Sequence, residues 1–400
     1  MISQSQQYLL EVIKASLFDV EPFFPPDIVW SDVTHEARAQ TVMGLVAHVM
    51  PVHDETSEQI KAMYMRIMYE QDRLIKCFDN AHIPCVILKG SAAAIYYPKP
   101  FFRTMGDIDV LVPRSRFVES VELLESYGYL YDHGKKDDNS ITDDIREIEY
   151  IKNGIVIELH QRFSSPGVEV DEILEAAINR REFINLNGYR FPVLPSPENG
   201  LVLLGHLNQH LKDNVLGLRQ IIDWEMYVHS FSDKEIWNSQ IVPLINKAGL
   251  STLAAYVTDM CYKYLGLPNN VSFDVDMENS LTDELLEVVM TDGNFGKRIY
   301  TDKTEDEQRL IGASYGIKRY GFFGYFIRVG TINCRICLKH PAYKIFAFFY
   351  GLIRQISLGI RAIIKNKKVT KRMGEGGKLY DQQSKRKELY KMLGVRTGEE

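Results

Sequence analysis

VILKGSAAAIYYPKPFFRTMGDIDVLVP, residues Val86 to Pro113, is the stretch on which the fold turns. Val86-Ile87-Leu88 is a short apolar run of the kind that forms a buried strand. Lys89-Gly90-Ser91 interrupts it, and Ala92-Ala93-Ala94 begins a small-residue helix. A loop punctuated by Pro98 and Pro100 leads past Arg103 to a second strand, Asp107-Ile108-Asp109-Val110-Leu111-Val112. Side chains alternate along a strand, so Asp107 and Asp109 share one face and Ile108 and Val110 the other. Two carboxylates on one face of a strand whose reverse is buried are costly unless a cation lies between them. Mg²⁺ suits that position, because it prefers oxygen ligands and keeps substrate phosphates in its shell. A solvated acidic strand end is the alternative reading of the same pair.

A hairpin follows downstream. Ile148–Lys152 and Ile155–His160 flank Asn153-Gly154, the strongest short hairpin signal. On the second strand Val156, Glu158 and His160 share a face, and Ile155, Ile157 and Leu159 share the other. Glu158, set among apolar neighbours, reads as a metal ligand or as one half of a strand-face ion pair. His160 reads as a residue supporting the ligands or meeting an acceptor, or as a surface histidine.

The order of Gly-Ser turn, helix and Asp-x-Asp strand resembles the nucleotidyltransferase superfamily built on the DNA polymerase β palm. Leu88-Lys89-Gly90, Tyr97-Pro98, Arg103 and Asp107–Val112 together are similar to a bacterial family of uncharacterised nucleotidyltransferases, with the likeness running over residues 60–230. The resemblance implies an α+β fold: a small mixed palm-type sheet flanked by helices, with N-terminal and C-terminal helical regions. It implies Mg²⁺-dependent transfer of a nucleoside monophosphate from an NTP to an acceptor, with release of pyrophosphate. Superfamily members bring a third carboxylate from a neighbouring strand, and Glu158 matches that place. One ion held by Asp107 and Asp109 would bind the triphosphate, and a second, shared with Glu158, would serve the attacking oxygen. Lys89, Gly90, Ser91 and Arg103 are the expected nucleotide-binding residues. Gly90 would admit the phosphates close to the backbone, Ser91 would donate N–H and hydroxyl, and Lys89 and Arg103 would offset charge. For either cation an ordinary ion pair is the alternative. The family accompanies polysaccharide biosynthesis genes, which makes a surface-polysaccharide precursor the first expected acceptor. A toxin-like transferase acting on protein or RNA and a non-catalytic nucleotide-binding regulator or membrane-associated adaptor are the alternatives.

Around this centre the chain divides into five expected parts. Residues 1–80 form a helical cap, in which Met63, Ile67, Leu74 and Phe78 make one apolar stripe. Residues 81–195 form the catalytic domain and 196–300 a helical domain. Residues 296–320 read as a linker, 308–374 as a basic aromatic segment and 375–400 as a flexible polar tail. Within the helix expected over Glu198–Lys212, His206 and His210 stand four apart. That spacing admits zinc, yet no third ligand is evident, so they read as residues packed beside the cleft. Arg219 and Asp223, also four apart, read as an intrahelical ion pair.

The net charge of −6 hides an asymmetry. Residues 308–374 carry 14 Lys plus Arg and no acid, so the remaining chain carries −20, the whole less that segment. Its aromatics and aliphatics, with Arg354, Arg361, Lys365 and Lys368 on one helical face, fit an interfacial helix on an anionic membrane through 320–374. Internal helical packing is the plainer alternative, and nucleic acid fits the aliphatic content less well. No apolar run approaches a membrane span. Five cysteines give no disulfide framework and fit a cytoplasmic protein, peripheral at the inner membrane face. The polar run Ser3-Gln4-Ser5-Gln6-Gln7 is not the apolar stretch of a secretory signal, so none is expected. Cys334, Cys337 and His340 offer three soft ligands with no evident fourth.

Overall fold

The computed structural model describes the chain apart from residues 1, 23, 25–27, 50–54, 132–144, 164–169, 232, 269–270, 295–304, 338–348, 350–352, 354–355, 358–368 and 396–400. It separates into two compact units, Met1–Lys297 with Leu393–Glu400, and Arg298–Met392.

The first unit is built on a seven-stranded mixed sheet: β1 (Val86–Leu88), β2 (Asp107–Leu111), β3 (Leu130–Tyr131), β4 (Glu147–Lys152), β5 (Ile155–His160), β6 (Glu182–Leu186) and β7 (Tyr189–Val193). Their spatial order is β3-β4-β5-β2-β1-β7-β6. Two two-residue turns shape it. Asn153 and Gly154, both at positive φ, close the β4–β5 hairpin, and Asn187 and Gly188 do the same for β6–β7. β5 then pairs parallel to β2, and β7 parallel to β1. The fold expected from the resemblance is the one observed.

One face of the sheet is dry. Ile108, Val110, Ile157 and Leu159 enter a core with Ile67, Leu74 and Phe78 of a long helix (Glu55–Asn80) and Phe117, Val121 and Leu124 of another (Phe117–Ser126). Each such side chain contributes about 1.5–3 kcal/mol of burial, which lets the opposite face carry charge. The apolar stripe read from the sequence therefore lies on the sheet. The earlier helices, Gln4–Phe18, Trp30–Gln40 and Met43–Val49, join the helical region instead. Gln6 Nε2 donates to the Met290 carbonyl at 3.0 Å, and Gln40 donates to Val289 and accepts from the Leu218 N–H.

The charged face is roofed by two helices, Ser196–Lys212 and Leu218–His229. A Cβ at Gly200 would lie 2.1 Å from the Tyr227 ring, so only glycine lets these helices approach as they do. Asn199 Nδ2 donates to the Ala92 carbonyl at 3.1 Å, anchoring the first helix to the short helix Gly90–Ala94 after β1.

In the second unit, Glu305–Cys337 is helical with a break at Gly321, and Val369–Met392 forms another helix. Both depart from the expected linker and flexible tail. The tail is polar but rich in Lys, Glu, Gln, Leu and Arg, all good helix formers, and it has a partner. Lys318 Nζ lies 2.6 Å from Asp381 and donates to the Gly377 carbonyl. The expected face of Arg354, Arg361, Lys365 and Lys368 lies outside the described residues, as do His340 and the side chains of Cys334 and Cys337 on which the ligand reading rests. Among the described residues no helix is long and apolar enough to cross a membrane.

Candidate active site

Strand register brings the chemistry together. The parallel β2–β5 pairing sets Asp109 beside Glu158, with Asp107 beside Val156 and Leu111 beside His160. The antiparallel hairpin sets Glu147 beside His160 and Glu149 beside Glu158. One sheet face thus gathers five carboxylates and a histidine.

Asp109, Glu158 and His160 each offer a ligand atom, all within 4.8 Å of one another. Asp109 and His160 are buried, both 2% exposed. His160 Nε2 lies 3.0 Å from Asp109 Oδ1 and 3.3 Å from Glu158 Oε2. Its Nδ1 lies 3.2 Å from Glu147 Oε2, out of line for a hydrogen bond. Lys89 Nζ lies 2.6 Å from Asp109 Oδ1 and 3.8 Å from Glu158. Burial alone would raise the Asp109 carboxyl, but Lys89 and His160 hold it well below the usual carboxylate range. Burial, with the Asp109 charge beside it, pushes Glu158 up to about 7, against the pull of His160. Burial would lower His160, yet its hydrogen bonds to Asp109 and Glu158 hold it at about 9.

These groups line a cavity of about 130 Å³ together with Asp107, Arg146, Phe163, Gln209 and Arg219. Gly90 lines it too, at φ +32. Lys89 itself sits at φ 46 and ψ −135, a conformation costing a non-glycine residue of order 1–3 kcal/mol. The β1-to-helix turn therefore spends strain to aim this side chain at the carboxylates.

His206 and His210 also line the cavity, with Nε2 atoms 2.8 Å apart. His210 Nδ1 lies 3.4 Å from the Val215 carbonyl, so with Nδ1 as donor His206 Nε2 donates to His210 Nε2. Burial holds both rings well toward the neutral form, His210 down at about 4.

A family model of uncharacterised nucleotidyltransferases matches residues 26–266, more than half of the chain. The chain belongs to that family. No curated protein matches it. A solved structure of an antigenic nucleotidyltransferase-like protein from Paracoccidioides brasiliensis overlaps 51% of this chain and 94% of its own, at 16% identity and a TM-score of 0.30. The family assignment rests on the sequence match alone.

Two residues that the nucleotidyltransferase resemblance marked for the nucleotide are engaged elsewhere. The Ser91 hydroxyl is buried and donates to Gln71 Oε1 at 2.6 Å. Arg103 borders the cavity, but its Nε and Nη2 each donate to the Asp223 carboxylate at 2.8 Å. The Tyr97 hydroxyl donates to the same carboxylate at 2.8 Å. Asp223, expected to serve its helix neighbour Arg219, thus ties its helix to the turn before β2. Arg219 Nη1 reaches the Thr104 carbonyl at 3.3 Å and lines the cavity. The sequence reading passed over Glu147, although a signal was there. A two-residue turn at Asn153-Gly154 pairs Lys152 with Ile155, and counting outward puts Glu147 opposite His160.

The donor set fits a divalent cation. Two cross-strand carboxylates and Asp107 supply the oxygen ligands that Mg²⁺ and Mn²⁺ favour, and the imidazole beside them widens the choice of metal.

Proposed function

We propose that the chain transfers a nucleoside monophosphate from an NTP to an acceptor nucleophile. The acceptor oxygen bonds to the α-phosphorus, the α–β phosphoanhydride bond breaks, pyrophosphate leaves and the acceptor's proton passes to solvent. The observation that supports this most is the pairing of Asp109 with Glu158 across β2 and β5, with Asp107 on the same face, in a chain of this family. Asp107, Asp109 and Glu158 would hold Mg²⁺, which when bound supplies charge neutralisation to the triphosphate. Gly90 presents backbone to the cavity, and Arg146 and Arg219 furnish positive charge around it. Little covalent chemistry is asked of the protein, so orientation and charge carry the rate. The acceptor in this reading is a precursor of surface polysaccharide.

The test incubates the chain with each α-labelled NTP, Mg²⁺ and cell extract, with Asp109→Asn as control. Label in a small-molecule or glycan-precursor fraction supports the full reading. Label in protein or RNA keeps the chemistry and replaces the acceptor. Nucleotide binding without label or pyrophosphate, for every NTP, overturns it in favour of a regulator.

A peripheral membrane role is favoured by one further observation. In the second unit Phe323 and Ile327 are 80% and 59% exposed, within a segment of +14 and no acidic residue. Exposed apolar side chains in a segment rich in Lys and Arg suit an anionic lipid surface. Co-sedimentation with anionic vesicles at low salt, lost in Phe323→Asp/Ile327→Asp, supports it; a full-length protein that ignores such vesicles ends it.

A further inference from the structure

We propose that Lys89 is a built-in cation of the carboxylate cluster, and that it lowers the number of divalent cations this site takes from two to one. The inference rests on the nucleotidyl-transfer reading and refines its metal count.

A two-ion site needs an open position between the carboxylates that the ions share. Here that position is taken by the chain itself. Asp109 Oδ1 receives both Lys89 Nζ, at 2.6 Å, and His160 Nε2, at 3.0 Å, so its two lone pairs are engaged. Glu158 Oε2 faces the same two groups, at 3.8 and 3.3 Å. The Asp109–Glu158 gap is therefore bridged twice, by an ammonium and by an imidazole. Asp107, at the cavity rim, is the acid left to join Asp109 in holding an ion against a triphosphate.

The backbone shows that this placement is built in. Lys89 adopts a positive φ at the turn out of β1, where glycine would be at ease. The side chain is 13% exposed and lines the cavity, with its ammonium against the Asp109 carboxylate. An ammonium differs from a second metal ion in two ways that matter here. It is permanently tethered, so it costs no binding entropy, and it carries half the charge, so it neutralises the shared carboxylates without crowding the first ion. Lys89 is thus a positioning residue: it orients Asp109 and Glu158 and leaves the triphosphate to the ion at Asp107 and Asp109.

The count can be measured without turnover. Full-length protein is titrated with Mn²⁺, alone and with an α,β-methylene NTP analogue, and bound Mn²⁺ is counted by equilibrium dialysis and read by electron paramagnetic resonance. Wild type is expected to bind one ion with an uncoupled spectrum. Lys89→Met should bind two, as a spin-coupled pair at the roughly 4 Å spacing of two-metal sites. Lys89→Arg, which keeps the charge, should again bind one. A coupled pair in wild type overturns the proposal, and so does a Lys89→Met protein that binds as wild type does. If Lys89→Met fails to fold, the wild-type count decides: one ion supports the proposal and two sink it. Two ions with intact transfer would leave the nucleotidyl-transfer reading standing. No Mn²⁺ in any protein, with or without the analogue, and no pyrophosphate would remove that reading and this proposal together.

Discussion

Two buried charge clusters border the same cavity and are built on opposite principles. In the first, Arg103 and Tyr97 meet Asp223, and every bond is matched: two guanidinium donors and one phenol on one carboxylate. In the second, Lys89 and His160 crowd one oxygen of Asp109, Glu158 is pushed up to about 7, and His160 Nδ1 has no hydrogen bond. A satisfied buried pair ties a helix to a sheet and asks for nothing more. A cluster whose protonation and bonding are unresolved is poised for a ligand that resolves them. The difference separates architecture from chemistry more sharply than residue type does, since each cluster has a cation and an aspartate.

The comparison breaks first, if it breaks, at Arg103. Arg103→Met leaves Asp223 buried without its bidentate partner, and should cost about 3–5 kcal/mol of stability. Denaturant midpoints measure this, and adding Asp223→Asn should recover part of the loss. Unchanged stability with lost NTP binding would return Arg103 to the chemistry, where the sequence resemblance had put it.

Asp109→Asn sits on the other side of the contrast. It leaves Lys89 and His160 facing a neutral amide, so a smaller loss of about 1–3 kcal/mol is expected. Transfer should fall by about a hundredfold or more, equivalent to at least about 2.7 kcal/mol of barrier. A variant with full transfer would remove Asp109 from the site.

The histidines sharpen the comparison through pH. His210 is held at about 4, first by burial, against an unfolded value near 6.5. Its contribution is therefore complete above pH 6.5 and is lost as pH falls toward 4, at about 1.4 kcal/mol per unit at the steepest. His160 runs the other way. Raised to about 9, it contributes fully below 6.5 and loses that contribution as pH rises through 9. Thermal melts of metal-free protein from pH 4 to 10 should show both limbs, with His210→Gln flattening only the acid one. A melt profile with no acid limb would contradict a neutral His206–His210 pair.

The smallest stability effect is expected at Asp107, which is half-buried at the cavity rim. Asp107→Asn should stay within about 0.5 kcal/mol of wild type. Its transfer should nevertheless drop as far as that of Asp109→Asn. A stable, fully active variant would leave Asp109 and Glu158 without the third carboxylate that the site reading requires.

Much of the sheet was legible because its signals are local. The Asn-Gly turn at 153–154 pins one hairpin, and the alternation of Asp107, Ile108, Asp109 and Val110 states which face carries the carboxylates. The strand Glu182–Leu186 was less so, because its side chains are mostly exposed and carry no burial pattern. The helix over Val369–Met392 was misread for a related reason. Polar composition says nothing about a partner 63 residues away, such as Lys318 for Asp381.

The sequence by itself determined the β1–turn–β2 unit, the family, the shared face of Asp107 and Asp109, and that of Glu158 and His160. Each follows from a two-residue period or a contiguous motif, which short-range sterics enforce. Only the tertiary structure decided that β5 lies parallel to β2 in the register that seats Glu158 beside Asp109. It alone drew Arg103 away to Asp223, turned Ser91 toward Gln71, and placed Lys89 among the carboxylates. Those choices are made by long-range burial: a charged side chain taken out of water settles on whichever opposite charge the packing of distant segments delivers, and no local pattern records which one that will be.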